Sequence, residues 1–178
     1  MENELIQQAI LKRKIQLSTS EKLTYYRSVF FLMTVTALCF FDFFRNTKLD
    51  LNDSSLKWGL TLFIFSVIVF VNQNSKLKLK SIAAKNCIDN LSEKITEIAR
   101  LNNWKIEFSN RNTFILTNSR PFSSGRYTFS KSMGEKIYIF KESNEILFRS
   151  IYDMEQNNGI VIGGGENQEN ERKIKACC

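Results

Sequence analysis

Two runs of apolar residues decide the fold of this chain: residues 25–44 read YYRSVFFLMTVTALCFFDFF, and residues 58–71 read WGLTLFIFSVIVFV. The first run would extend about 30 Å as a helix, which matches the hydrocarbon core of a bilayer. The second is shorter, but Lys57 and Trp58 are typical of a membrane interface and Leu56 lengthens it. We predict a transmembrane hairpin over residues 25–74, with spans at about 25–45 and 56–73. The alternative is one span followed by a buried helix.

The overall composition hides this concentration of apolar residues. The chain has 178 residues, 43% of them hydrophobic, and a net charge of +7, yet nine of its fifteen phenylalanines lie within residues 30–70. It contains no histidine, which excludes Ser-His-Asp, Cys-His and His-ligated metal chemistry. The cysteines show no C-x-x-C spacing, and the carboxylates Glu107, Glu135 and Asp153 are scattered. We therefore predict no catalytic residue, no metal, no cofactor and no enzymatic activity.

The distribution of basic residues predicts the orientation of the hairpin. Five lysines and arginines lie within residues 12–27, and four lysines lie within residues 76–85, whereas the charges of residues 28–75 cancel. Because basic residues stay on the cytoplasmic side, both termini should face the cytosol from the inner membrane. We interpret residues 1–24 as an N-terminal leader whose amphipathic helix, on Ile6, Ala9, Ile10 and Leu17, lies on the membrane surface. The alternative is a frayed polar leader.

Residues 75–178 are predicted to form a cytosolic α+β module with a polar C-terminal tail. Residues 76–101 carry apolar residues at alternating spacings of three and four, which predicts one long helix. The row of apolar residues along this helix, called here the seam, could join two copies of the chain as a coiled coil. Alternatively, it could pack against the rest of its own module, and we favour this second interpretation. The seam residues are Leu77, Ala84, Ile88, Leu91, Ile95 and Ile98.

The period changes to two after Asn102 and Asn103, which predicts an antiparallel meander of five or six strands. Turn-forming residues stand at 110–112 and 142–144. The strands are expected at about residues 104–108, 113–117, 126–130, 136–141, 145–152 and 160–162.

Arginines and serines in the predicted loops suggest a site for a small anionic ligand, because guanidinium forks backed by hydroxyls suit phosphate groups. The alternative is a set of solvated loop charges. The residues are Arg111, Arg120, Ser123, Ser124 and Arg126, next to Ser119. The glycines at 163–165 lack a phosphate-loop pattern and are interpreted as a flexible connection. The charge excess after residue 75 is modest and forms no continuous face, so no nucleic acid partner is predicted.

Cys177 and Cys178 follow a basic stretch at the end of the sequence. This ending resembles the double-cysteine prenylation tail of Rab-type small GTPases, although nothing else in the chain resembles a GTPase. The resemblance implies lipidation of the two cysteines, and the alternative is an unmodified pair.

The run GEKIYIFKESNEILFRSIYD at 134–153, followed by a Gly- and Asn-rich segment, resembles the C-terminal strands of uncharacterised two-span membrane proteins of Bacteroidota. The layout of hairpin and small β module is similar to membrane-tethered pleckstrin-homology-like domains and to β-barrel membrane effectors of cyclic-oligonucleotide anti-phage signalling. We expect a non-enzymatic membrane protein whose module binds a protein partner, a lipid head group or a small anionic ligand. The alternative is a ligand-gated effector that self-associates and disrupts the membrane.

Overall fold

The computed structural model describes residues 3–45, 53–83, 90–119, 134–154 and 165–177. Contacts divide the chain into two compact units, one of residues 1–18 and 77–178 and one of residues 19–76. The helices are α1 Asn3–Leu11, α2 Thr19–Tyr25, α3 Arg27–Arg45, α4 Ser54–Lys76, α5 Leu91–Leu101 and α6 Gly165–Cys177. The strands are β1 Lys80–Ala83, β2 Lys105–Asn110, β3 Thr113–Ser119, β4 Gly134–Lys141 and β5 Glu145–Tyr152.

The unit of residues 19–76 is a helical hairpin in which α3 packs against α4. Both helices are long and apolar enough to cross a membrane. They coincide with the two predicted spans, so this coarse feature of the prediction is confirmed. Most of their apolar side chains point outward: among the described residues, 19 large hydrophobic side chains are exposed, and 15 of them belong to α3 and α4.

The contact between α3 and α4 follows a seven-residue repeat. The buried residues of α3 are Val29, Thr36 and Phe43, and those of α4 are Gly59 and Ser66. A repeat of seven is the spacing at which two helices pack at a shallow angle over several turns. A Cβ added at Gly59 would lie 3.4 Å from the Cβ of Cys39, so the absence of a side chain there allows close approach.

Polar side chains join the two helices at both ends of this contact. Gln73 donates a hydrogen bond to the Ser28 hydroxyl at 2.8 Å. At the other end, the Ser55 hydroxyl donates to the Asp42 carboxylate at 2.7 Å. Small and polar residues, together with Val29 and Phe43, therefore form the contact between the two helices, while most of the large apolar side chains lie outside.

The other unit, called here the α+β unit, is built on an antiparallel five-stranded sheet in the order β1-β5-β4-β3-β2. The predicted antiparallel meander is thus confirmed for β2 to β5. The further strands predicted at residues 126–130 and 160–162 lie outside the described residues. Helix α5 ends at the asparagines Asn102 and Asn103, where the sequence pattern changes. Asn103 has φ 55°, and the Trp104 amide donates a hydrogen bond back to the Ala99 carbonyl at 2.8 Å.

The core of the α+β unit lies between one face of the sheet and the helices α5 and α6. Period-two alternation turns Phe114 and Leu116 of β3 to this face, and Ile95 of α5 packs on them. Its other members are Leu91, Ala99, Trp104, Ile137, Ile139, Ile146, Phe148 and Ile174. Burying such a set of aliphatic and aromatic side chains is the main source of stability for a unit of this size.

The long helix predicted over residues 76–101 is wrong in its first part. Residues 80–83 form β1, which pairs with β5 in the register Lys80↔Phe148 to Ala83↔Glu145. The alternation of lysine and leucine before it fits a strand as well as a helix, and pairing along the edge of the sheet satisfies the backbone polar groups there. Among the described residues after Lys76, the last residue of α4, only Leu91–Leu101 are helical in this stretch, and residues 84–89 lie outside the described part.

The leader, predicted as a separate segment on a membrane surface, belongs by its contacts to the α+β unit up to residue 18. Helix α1 forms as expected and buries Ile6 and Ala9, while Leu17 is also buried and Ile10 is half-buried. These apolar side chains are covered within the protein.

Candidate functional site

A buried polar network lies between α6 and the ends of strands β3, β4 and β5. Its centre is the carboxylate of Glu135, which is 0% exposed. Asn118, the cross-strand partner of Glu135, donates to that carboxylate at 3.2 Å and to the Asn170 side-chain oxygen at 3.3 Å. Asn170 in turn donates to Glu135 at 3.5 Å. Two amides thus donate to the buried carboxyl group of Glu135, which gives this polar group the partners that its burial requires.

The same network continues to β5 through Ser150. The Ser150 hydroxyl donates to Asn167 of α6 at 2.8 Å and accepts from Asn170 at 3.4 Å. Neighbouring Glu171 is 4% exposed and pairs with Lys80 of β1 at 2.6 Å and with Arg149 of β5 at 3.4 Å. Helix α6 is therefore docked by amides, a hydroxyl and ion pairs, with Ile174 as its buried apolar contact.

Sequence reasoning missed this network apart from naming Glu135. A signal was present, because positions 167, 170, 171 and 174 share one face of a helix. That face reads Asn, Asn, Glu, Ile, and it looked like part of a polar surface helix. Its partners on three different strands cannot be read from the spacing.

Arg111 lies in a second polar region, an open cleft at one end of the sheet. Two hairpin turns meet there, joined by a hydrogen bond of 2.8 Å from the Lys141 amide to the Asn112 carbonyl. The cleft is lined by Arg111, Asn112, Lys141, Glu142, Ser143, Asn144 and Glu145. Arg120, Ser123, Ser124 and Arg126, predicted to share a ligand with Arg111, lie outside the described residues. Their convergence with Arg111 stays a prediction.

A third polar group surrounds Glu107 on β2. The register of β2 with β3 shifts between Ile106 and Phe108, so Glu107 is the extra residue of a bulge. Partial burial of this carboxyl opposes ionisation, but the neighbouring Thr117 hydroxyl, the Lys136 ammonium 3.1 Å away and the charge of Lys105 together lower its pKa.

The leader and the segment after α4 form a short two-stranded pairing, called here the clamp (residues 13–15 and 77–79). The Ile15 amide donates to the Leu77 carbonyl and the Leu79 amide donates to the Arg13 carbonyl, both at 2.9 Å. Lys14 and Lys78 are the directly opposed residues. Ile15 and Leu77 are buried, so the clamp has an apolar side turned inward.

Arg13 gives the clamp a link to the sheet. It follows α1 with φ 48°, and the Lys14 amide donates back to the Ala9 carbonyl at 3.0 Å, which is a left-handed helix end like that at Asn103. Its guanidinium forms an ion pair with Glu145, and Glu142 lies 3.7 Å away. Glycine or asparagine is the usual residue in this conformation, so these ion pairs offset part of the cost of arginine there.

The structure describes only some residues of the predicted oligomer seam. Leu91 and Ile95 are buried in the core, and Ile98 packs against it. Ala84 and Ile88 lie outside the described residues. The described half of the seam is therefore engaged within its own unit. Cys177 ends α6, and Cys178 lies outside the described part, so lipidation of this pair stays a prediction.

Within the described ranges, no three histidine, cysteine, aspartate or glutamate side chains come together as a metal site would need. No protein-family model, no curated protein and no solved structure matches the chain.

Proposed function

We propose that this chain is a two-span protein of the inner membrane whose α+β unit is a non-enzymatic binding module on the cytosolic side. The observation that carries the proposal is the exposure of α3 and α4, which hold 15 of the 19 exposed large hydrophobic residues in the part of the chain that the structure describes. A soluble protein rarely exposes such a continuous apolar surface, whereas lipid covers it without cost.

The clamp supports the proposal that the chain crosses the membrane an even number of times, with both ends of the hairpin on the same side. Residues 13–15 precede the hairpin and residues 77–79 follow it, and the two segments exchange backbone hydrogen bonds. Such bonds require both chain ends of the hairpin to lie on the same side of a membrane. The basic residues flanking the hairpin favour the cytosolic side.

The first experiment tests the anchoring and its direction in the full chain. The protein should float with membranes and resist extraction by alkaline carbonate. With the native cysteines replaced by serine, Lys48→Cys should react with a membrane-impermeant maleimide in intact spheroplasts. Lys175→Cys should react only after the cells are opened. Carbonate extraction, or labelling of both positions in intact cells, would reject the proposed topology.

Binding of a small anionic ligand is supported by Arg111 and Lys141 in the open cleft. A guanidinium binds phosphate oxygens in a bidentate way, so its loss should weaken binding strongly. We expect Arg111→Gln to weaken binding of inorganic pyrophosphate to the solubilised chain at least about tenfold. Arg100→Gln, on the exposed end of α5, is the matched control. Equal affinities for both variants would remove the cleft from the proposal.

A second candidate is a ligand-gated effector that disrupts the membrane. It is supported by the short connection between α4, which ends at Lys76, and β1, which begins at Lys80, because a movement of the sheet edge would reach the hairpin directly. Expression followed by a panel of cyclic oligonucleotides should then depolarise cells. An unchanged membrane potential across the panel would reject this candidate.

A further inference from the structure

Among the described residues that line the open cleft, acidic and basic side chains are equal in number. Arg111 and Lys141 are the cations, and Glu142 and Glu145 are the anions. Charges that cancel in this way exert little net attraction on an approaching anion, even though a single guanidinium can donate hydrogen bonds to it. A preference of these residues for anions therefore requires a further positive charge close to the two carboxylates.

Arg13 supplies a positive charge of this kind from outside the cleft lining. Its guanidinium forms an ion pair with Glu145 and lies 3.7 Å from the Glu142 carboxylate. The two acids belong to one turn, which is closed by a hydrogen bond of 2.9 Å from the Glu142 amide to the Glu145 carbonyl. One guanidinium thus lies against both carboxylates of the cleft.

The backbone of the leader holds Arg13 in this place. The residue lies between α1 and the rest of the clamp with φ 48°, and its carbonyl accepts a hydrogen bond of 2.9 Å from the Leu79 amide. Two positions further on, Ile15 is buried and donates to the Leu77 carbonyl. The clamp therefore fixes the point from which the guanidinium reaches the turn.

We infer that Arg13 determines the preference of the cleft for anions, because it neutralises Glu142 and Glu145 and leaves the charges of Arg111 and Lys141 in excess. This inference rests on the proposed binding of a small anionic ligand in the cleft. Arg13 acts on the ligand through the two carboxylates, without a contact of its own. The side chains of Arg13, Glu142 and Glu145 are 57%, 31% and 25% exposed, so solvent screens their charges and the effect on affinity is several-fold.

The test measures binding of inorganic pyrophosphate to the solubilised full chain by calorimetry at low salt. Arg13→Asn removes the charge but suits the left-handed backbone, because asparagine adopts a positive φ more readily than most residues. It should weaken binding about fivefold, the effect of one charge through a largely aqueous path. Arg13→Lys keeps the charge and should bind within about twofold of wild type. Arg100→Gln, on the exposed end of α5, also loses one charge and should bind like wild type.

The triple variant Arg13→Asn/Glu142→Gln/Glu145→Gln separates the charge effect from an effect on folding. It lacks both Arg13 and the carboxylates that Arg13 neutralises, so it should bind pyrophosphate at least as tightly as wild type. A triple variant that stays as weak as Arg13→Asn would overturn the inference. An equal loss in Arg13→Lys or in Arg100→Gln would overturn it as well.

The variant Arg111→Gln keeps this inference apart from the proposed anion site. If Arg111→Gln weakens pyrophosphate binding and Arg13→Asn does not, only the role of Arg13 is contradicted. If the wild-type chain does not bind pyrophosphate, or Arg111→Gln binds it as well as wild type, the proposed anion site itself is contradicted.

Discussion

The hairpin and the α+β unit arrange their apolar residues in opposite ways. The hairpin buries mainly small or polar residues such as Thr36, Gly59 and Ser66 and exposes most of its phenylalanines, with Phe43 buried, whereas the α+β unit buries Phe114 and Phe148. Small residues at the contact and apolar residues outside suit helices in an apolar surrounding, where burial of apolar area supplies little driving force. The α+β unit has the arrangement that water imposes. The two units therefore differ in the residue types that they bury, and this difference agrees with the proposed anchoring.

The largest expected effect comes from removing one aromatic ring on each side of this comparison. Phe148→Ala should destabilise the α+β unit by about 3–5 kcal/mol, because it leaves a cavity in a closely packed core. Phe63→Ala, on the exposed surface of α4, should change the stability of that unit by less than about 0.5 kcal/mol. The measurement is denaturant unfolding followed by fluorescence of Trp104, which is buried in the core, in a Trp58→Phe background. Similar losses for both variants would contradict the comparison.

The close contact at Gly59 gives an all-or-none test of the hairpin. A Cβ at this position lies 3.4 Å from the Cys39 Cβ, near the usual Cβ separation of a disulfide. With the other native cysteines replaced by serine, Gly59→Cys should form a disulfide with Cys39 on mild oxidation. The neighbouring position Leu60 faces outward, so Leu60→Cys should not form one within the chain. Intact mass and non-reducing electrophoresis distinguish the two, and crosslinking of both variants to equal extent would argue against the described contact.

The polar network under α6 is the exception to the apolar interior of the α+β unit. Asn170→Ala should destabilise the unit by about 1–3 kcal/mol, because it leaves Glu135 and Ser150 with fewer buried partners. Gln168→Ala, on the exposed face of the same helix, is the control and should be close to neutral. Amide hydrogen exchange should show faster exchange in α6 of the first variant. Unchanged protection of α6 would mean that the network does not hold it.

The smallest expected effect is the acid dependence contributed by Glu107. Its pKa is lowered in the folded protein, so its contribution is present above the unfolded value and disappears as the pH falls through the folded one. Stability should therefore decline on acidification below about pH 4.5, the ordinary value of the group. Glu107→Gln should remove less than about 1 kcal/mol of this decline, as expected for a partly exposed ion pair. Glu97→Gln, on the exposed side of α5, is the control, and identical acid profiles for wild type and Glu107→Gln would contradict the role assigned to this carboxyl.

The prediction of helices and strands from the sequence succeeded where a single pattern of apolar residues is present. The hairpin is a continuous apolar run, and β3, β4 and β5 are short segments rich in β-branched and aromatic residues that are bounded by turn residues. It failed where two periods fit the same residues: lysines and leucines at 77–80 satisfy a helical seam and an extended segment alike, and pairing of residues 77–79 with residues 13–15 and of Lys80 with β5 decided between them. The residues of the candidate site were harder to predict, because their interaction partners come from segments that are distant in the sequence. Neither Asn118 beside Asn170 nor Lys14 beside Lys78 can be found from local spacing.

The pairing of residues 13–15 with residues 77–79 also sets an order of events during biosynthesis. The leader leaves the ribosome before the hairpin, but its partner in the clamp is made only after α4 is complete. Ile15, which is buried in the folded protein, therefore lacks its final contacts while both apolar helices are synthesised. The α+β unit becomes complete only after the hairpin has left the ribosome, so synthesis of the hairpin precedes final folding of the α+β unit. Early termination within α4 would leave a leader with no strand to join and an exposed apolar hairpin, a product suited to removal by quality control.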